Sequence, residues 1–391
     1  MTETMKKTAA GTLALTALLA SSAALAQLNS NATIFGVVDL GFLGSRPDGV
    51  PGRPNAPAST SGIEDGIQTP SRLGFQGSET LGGGLNAKYW LEAGFAADTG
   101  TSQQGGRLFG RQAWASLQGN FGELRLGRQY GLGYEYYITG ISPFGTTFRD
   151  AGLGNVFSSA SGRLILDNMI EYRTPILSGF SAAVGWSFNN NPNAALSSEV
   201  PGSGNNISVL TAGAQYRQGP VVAVLSYESF NCPSNTATVV SNTCNATRKD
   251  DQRHVQLGGS FDFKVARLYA AWAQEKDQFT LAAITPSSDA RVWMLGASAP
   301  LGRGELLAAW QDRDDKAYGA DLSVWAIGYT YNLSARTNLY AFYSDTSADS
   351  TPRSQVVTAG AITIEGYTAA QTGAYWDRNR AQFGLGLRHR F

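Results

Sequence analysis

The sequence predicts an all-β protein, a 16-stranded antiparallel transmembrane β-barrel. Three observations predict it. Large apolar residues alternate with small or polar ones at period 2 in segment after segment. The connections between those segments alternate between short and long. Only 15 % of the 391 residues are charged and 46 are Gly, against roughly 25 % charged residues in ordinary soluble domains.

The same composition excludes several classes of function. The 30 basic residues are balanced by 30 acidic ones, so no basic excess is present to neutralise phosphates and no nucleic-acid partner is expected. Two Cys cannot build a disulfide scaffold or a Cys-rich zinc site. His254 and His389, the 2 histidines, lie far apart in the chain. No metal, cofactor or catalytic residue is expected, because a barrel-embedded hydrolase needs a nucleophile with an activating base in reach.

Residues 1–26 read as a signal peptide. Lys6 and Lys7 precede an apolar stretch from Ala9 to Ala20, followed by Ala24-Leu25-Ala26. A basic start, a short apolar core and an A-x-A site are the pattern of a secretory leader. Cleavage after Ala26 leaves 27–391 as one barrel domain. No later run approaches the ~18 apolar residues of a spanning helix, so any crossing must be made by strands.

The strands are expected at about 33–44, 72–79, 84–92, 107–118, 122–128, 164–173, 180–188, 207–216, 220–230, 253–262, 264–276, 290–299, 304–312, 320–331, 337–346 and 378–391. In the last, Phe383, Leu385, Leu387, His389 and Phe391 share one face, and Gly384, Gly386, Arg388 and Arg390 the other. A second clear case sets Trp325, Ile327, Tyr329 and Tyr331 against Val324, Ala326, Gly328 and Thr330. A soluble sandwich would put charges opposite its core face. Small residues there suit a wall with lipid outside and water inside. Short turns such as Leu81-Gly82-Gly83 and Gln218-Gly219 alternate with long loops at 45–71, 129–163, 231–252 and 347–377. Both termini then fall at the short-turn end, and closure removes the exposed edges that an open sheet would carry. Cys232 and Cys244 share one long loop; an oxidising envelope favours a disulfide between them, with two free thiols as the alternative.

Six blocks carry a family resemblance: Ile34–Asp39, Ser71–Glu79, Leu81–Leu85, Leu108–Ala113, Phe121–Gln129 and Gly386–Phe391. Together, in this order, they resemble the general-diffusion porins of Gram-negative bacteria, in particular the branch whose trimers prefer anions. The resemblance implies an outer-membrane homotrimer among lipopolysaccharide and outer-membrane lipids. It implies a water-filled channel for small anionic and neutral solutes, with the third outer loop folded inward. A substrate-specific channel for small organic acids or phosphate is the alternative. The terminal Phe391 resembles the signal read by outer-membrane assembly machinery.

In such a channel the function resides in the radius and charge of a constriction. The inward loop is expected at 130–162. Ser142-Pro143-Phe144-Gly145 resembles the family's loop tip without the acid found there in many cation-preferring relatives, leaving Glu135 and Asp150 as the loop acids facing the wall. A charge on the lipid face costs ~2–4 kcal/mol at mid-depth, so parity assigns wall cations to the lumen. Leu73 and Phe75 take the lipid face, which turns Arg72 inward. Placing Trp114 on the lipid face, by the family's pattern, turns Arg111, Ala113 and Ala115 inward. Arg125 lies between Leu124 and Leu126. Arg163, Ile165, Asp167 and Arg173 share a face opposite Ile170 and Tyr172, although Ile165 stands where the family usually carries the arginine. Arg72, Arg111, Arg125 and Arg163 are thus the expected basic constriction, with Lys88, Glu92 and Asp167 as further lining and Pro143 and Phe144 in the loop.

Overall fold

The computed structural model describes residues 31–47, 59–137, 140–157, 165–188, 208–231, 252–276, 289–315, 321–348 and 380–391. The expected signal peptide, Arg163, Cys232 and Cys244 lie outside these residues.

The strands are β1 (Asn31–Pro47), β2 (Thr60–Asp65), β3 (Arg72–Gly82), β4 (Leu85–Gly94), β5 (Gln112–Gly119), β6 (Gly122–Tyr130), β7 (Ile165–Arg173), β8 (Phe180–Ser187), β9 (Ser208–Gln218), β10 (Val221–Asn231), β11 (Gln252–Asp262), β12 (Arg267–Lys276), β13 (Asp289–Leu301), β14 (Gly304–Asp315), β15 (Leu322–Asn332), β16 (Thr337–Ala348) and β17 (Arg380–Arg390). From β3 onward each pairs antiparallel with the next, and β17 returns to β1 in the register Val37↔Arg390 to Pro47↔Arg380. The backbone of Phe391 completes the seam, exchanging both hydrogen bonds with Gly36 at 3.1 Å. The barrel is closed, and among the described residues every wall position has a neighbour on both sides.

Seventeen strands make a 16-stranded barrel because β2 and β3 share one place in the wall. β3 pairs with Asn31–Val37 of β1, and β2 pairs with the Leu40–Ser45 stretch of the same strand. Residues 66–71 bulge inward between them. There Ile67 and Ser71 are fully enclosed, and Asp39 accepts a 2.6 Å hydrogen bond from the Thr69 amide. The run 46–62, expected as loop, therefore ends in a strand. Alternation does not show it, because Thr60-Ser61-Gly62-Ile63 has only one large apolar side chain.

Turns follow the expected asymmetry. Tight ones join β3 to β4, β9 to β10 and β13 to β14, where Gly83, Gly219 and Gly302 take a positive φ that L side chains rarely adopt. Large apolar side chains stand outward and exposed, among them Leu73, Phe75, Leu126, Leu257, Trp293, Trp325, Ile327, Phe383 and Leu385. On a water-soluble protein this belt would be an aggregation surface; facing lipid it is satisfied.

Two segments differ from expectation. The strand expected at 107–118 begins only at Gln112, after a 3-10 turn at Gln104–Gly106. Trp114 does not face lipid: it is 8 % exposed and pairs with Trp90, on the same face as Ser116, Arg125 and Glu92. Ala113 and Ala115 accordingly take the outward parity with Leu117. Arg111 turns inward because it precedes the regular strand and is free of its alternation.

Candidate channel constriction

Beyond β6 the chain enters the lumen. The short helix α1 (Leu132–Tyr137) is followed by residues 140–157, whose apolar side chains are nearly all enclosed. It is held along the inner wall from β9 round to β1. The Leu132 amide donates to Thr211 Oγ1 at 2.9 Å and the Gly133 amide to Glu228 Oε1 at 3.1 Å. Further round, a Cβ added at Gly258, Gly296 or Gly328 would meet Ile141, Pro143 or Phe144 at 2.6, 2.7 and 2.9 Å. These inward glycines on alternate strands form a groove in which the loop lies. Phe144 and Phe148 pack edge-to-face, and Phe148 meets Tyr340 and Phe342 likewise. Thr147 Oγ1 donates to the Gln68 carbonyl at 2.5 Å. The return limb is held by Gln311, whose side-chain amide donates to the Ala151 carbonyl at 2.8 Å.

Pro143 and Phe144 are therefore wall-packed, Phe144 only 2 % exposed, and do not project into the opening. Both loop acids are engaged by wall arginines. Glu135 receives two hydrogen bonds from Arg173, at 2.6 and 2.5 Å, and Asp150 two from Arg380, both at 2.5 Å. Burial pushes the Glu135 carboxyl up, but the Arg173 guanidinium outweighs it and holds the group below the ordinary glutamate range.

The wall from β3 to β7 carries a second set of charges. Arg111 donates from Nε to Glu92 Oε1 at 2.6 Å and from Nη2 to Tyr130 Oη at 2.6 Å, and is only 6 % exposed. Arg72 lies 3.8 Å from the same carboxylate oxygen and keeps a quarter of its side chain accessible. Two guanidinium groups thus share one carboxylate. Arg125 donates to Glu123 Oε2 at 3.0 Å and lies flat over the Trp114 ring, 4.4 Å from its centre. Of the expected lining residues, Glu92 is enclosed beneath its arginines, and Asp167 is ion-paired. Lys88 faces inward opposite Ser116 with no hydrogen bond or ion pair among the described residues.

Sequence reasoning missed Arg107 and Arg128, which converge on Asp167 at 2.9–3.0 and 2.5 Å, and the Asp150 partner Arg380. Arg128 is hidden by a register shift between Gly127 and Gln129, which breaks the parity that assigns inward positions. Arg380 lies at the very start of β17. Its inward parity with Gln382, Gly384 and Gly386 is readable within the strand expected at 378–391.

A closed 16-stranded barrel with a loop folded against its inner wall and a charged face opposite defines a diffusion channel. Comparison with known proteins agrees. The family described as Gram-negative porin matches residues 12–351. An outer membrane porin protein of Bordetella pertussis is 34 % identical over 99 % of this chain and 100 % of its own length. Outer membrane porin protein 32 of Delftia acidovorans is 34 % identical over 84 % of this chain and 86 % of its own. Among solved structures, an anion-selective porin from Comamonas acidovorans superimposes with a TM-score of 0.65 at 26 % identity, covering 93 % of this chain and 100 % of that one. The chain belongs to the Gram-negative porin family. It is a channel of the bacterial outer membrane for passive diffusion, not an enzyme.

Proposed function

We propose that the channel prefers anions, small inorganic and organic acids above cations of similar size. The observation that carries this is the pairing of Arg72 and Arg111 with the single carboxylate of Glu92, which leaves one uncompensated positive charge at the wall facing the loop. The loop offers no matching negative charge there, since Glu135 and Asp150 are each bound to an arginine. Arginine keeps its charge at every working pH. A charge pair 4 Å apart is worth ~1 kcal/mol in water and ~4 kcal/mol at an effective dielectric of 20, so a passing anion gains a modest attraction without being trapped. The solved structure named as anion-selective supports the same reading.

The test is the reversal potential across a planar bilayer in a KCl gradient. Wild type is expected to favour Cl⁻. Arg72→Ala, which removes the more accessible guanidinium, should shift the anion/cation ratio several-fold toward neutrality, and 1 M salt should shrink the shift because the Debye length falls to about 3 Å. A K⁺-favouring wild type would refute the reading. Saturation of conductance by one anion would instead favour a substrate-specific channel for organic acids or phosphate.

The functional unit is read as a homotrimer embedded among lipopolysaccharide and outer-membrane lipids. Export by residues 1–26 and recognition of Phe391 by the assembly machinery complete the reading.

A further inference from the structure

Below the Arg72–Glu92–Arg111 cluster, toward the short-turn end, the inner wall carries a feature that passage of simple ions does not require. Phe35, Trp90 and Trp114 form a continuous aromatic row on β1, β4 and β5. Phe35 and Trp90 have ring centres 4.4 Å apart, and Trp90 and Trp114 stack nearly parallel at 6.1 Å. The row crosses β3 where Gly74 leaves room: a Cβ there would lie 2.2 Å from the Phe35 ring. All three side chains have the inward parity of Glu92 and Asp39. Arg125 caps the far end, its guanidinium lying on the outer face of Trp114. One inward position nearer the turns, Lys88 stands opposite Ser116, which in turn pairs with Arg125.

Indole rings are costly to wet, and an outer-membrane barrel normally keeps its aromatic residues outside and its polar ones inside. Here Phe35 and Trp90 stand half-buried on the inward face, and Trp114, 8 % exposed, lies under Arg125. Beside them is a lysine that makes no hydrogen bond or ion pair among the described residues, and whose nearest carboxylate, Glu123, is already held by Arg125 and Ser116. Nor does the row seal the loop: the two buried apolar clusters that fix the loop to the wall contain none of the three rings. A flat ring with a negative charge fits both halves. Its π-face stacks on the Arg125 guanidinium and the accessible part of Trp90, and its charge meets the Lys88 ammonium. An aliphatic acid of the same size and charge would keep only the ion pair.

We propose that this row is a subsite for planar aromatic carboxylates, placed so that such anions leave the charged constriction directly onto it. The proposal deepens the anion-channel reading and rests on it for the solute's entry.

The experiment is block of KCl current through single channels by benzoate, compared with cyclohexanecarboxylate, which has the same charge and nearly the same size without the π-face. Benzoate is expected to half-block at a concentration about three- to fivefold lower, the effect of one exposed stacking contact. Trp90→Leu should abolish the difference between the two acids, and Lys88→Gln should weaken block by both. Each variant is first checked for the heat-modifiable migration of a closed barrel. Should Trp90→Leu fail that check, Lys88→Gln and the two-acid comparison on wild type still decide. Equal block by both acids, or a benzoate advantage that survives Trp90→Leu, overturns the subsite. A channel that favours K⁺ yet is blocked better by benzoate would refute the anion preference and leave the subsite standing. An anion-preferring channel blind to the ring would do the reverse.

Discussion

Glu135 shows how one side chain sets the acid limit of the constriction. Its two hydrogen bonds from Arg173 tie α1 to β7. Because Arg173 holds the folded carboxyl below its ordinary value, the group binds fewer protons folded than unfolded. The stabilisation is therefore fully present above the ordinary glutamate value of about 4.3, and is lost as pH falls through the lower, folded value. Loop-dependent gating noise in bilayer recordings should stay constant from pH 7 down to about 4.5 and rise only below that. Glu135→Gln should be noisy at every pH and lose the acid step. A wild-type onset near pH 6 would show that another group governs the loop.

At the scale of the element, the loop and its groove determine each other. Gly296 faces Pro143, with only 2.7 Å for an added Cβ, and the nearest obstacle belongs to a rigid ring. Gly296→Val should lift the loop tip off the wall, altering single-channel conductance by tens of per cent while leaving the barrel's heat-modifiable gel shift intact. An unchanged conductance would mean that the wall yields rather than the loop. Such elements are unequally legible in the sequence. The strands are readable because lipid outside and water inside impose period 2, and β17 follows its alternation from Gln382 onward. The family's pattern sends Trp114 to lipid, whereas its ring in fact packs inward between Trp90 and Arg125. Arg128 is hidden by a bulge; Arg173 is readable as inward, but its pairing with Glu135, like that of Arg380 with Asp150, is hidden by distance along the chain. Alternation within a strand carries no information about which loop will cross to meet it.

For the whole molecule, the outward belt from Leu73 to Leu387 is continuous around a closed wall. If three such walls associate as proposed, unheated protein in mild detergent should migrate near three times the 41.5 kDa chain mass, less the leader if 1–26 is removed as proposed. It should collapse to the monomer on boiling. A monodisperse, β-rich monomer under several gentle extractions would refute the trimer without touching the barrel.

The loop's anchors also impose an order of events. They are drawn from Thr211 on β9, Gln311 on β14, Arg380 and Gln382 on β17 and Gln68 in the bulge before β3. No nascent portion of the chain holds all of these, because β17 must already have met β1 before Asp150 and Thr147 find their partners together. The throat is thus complete only when β17 and β1 have met. A chain that lost its last strand would therefore lose the Asp150 anchor together with the seam, and with them the throat as well as the wall.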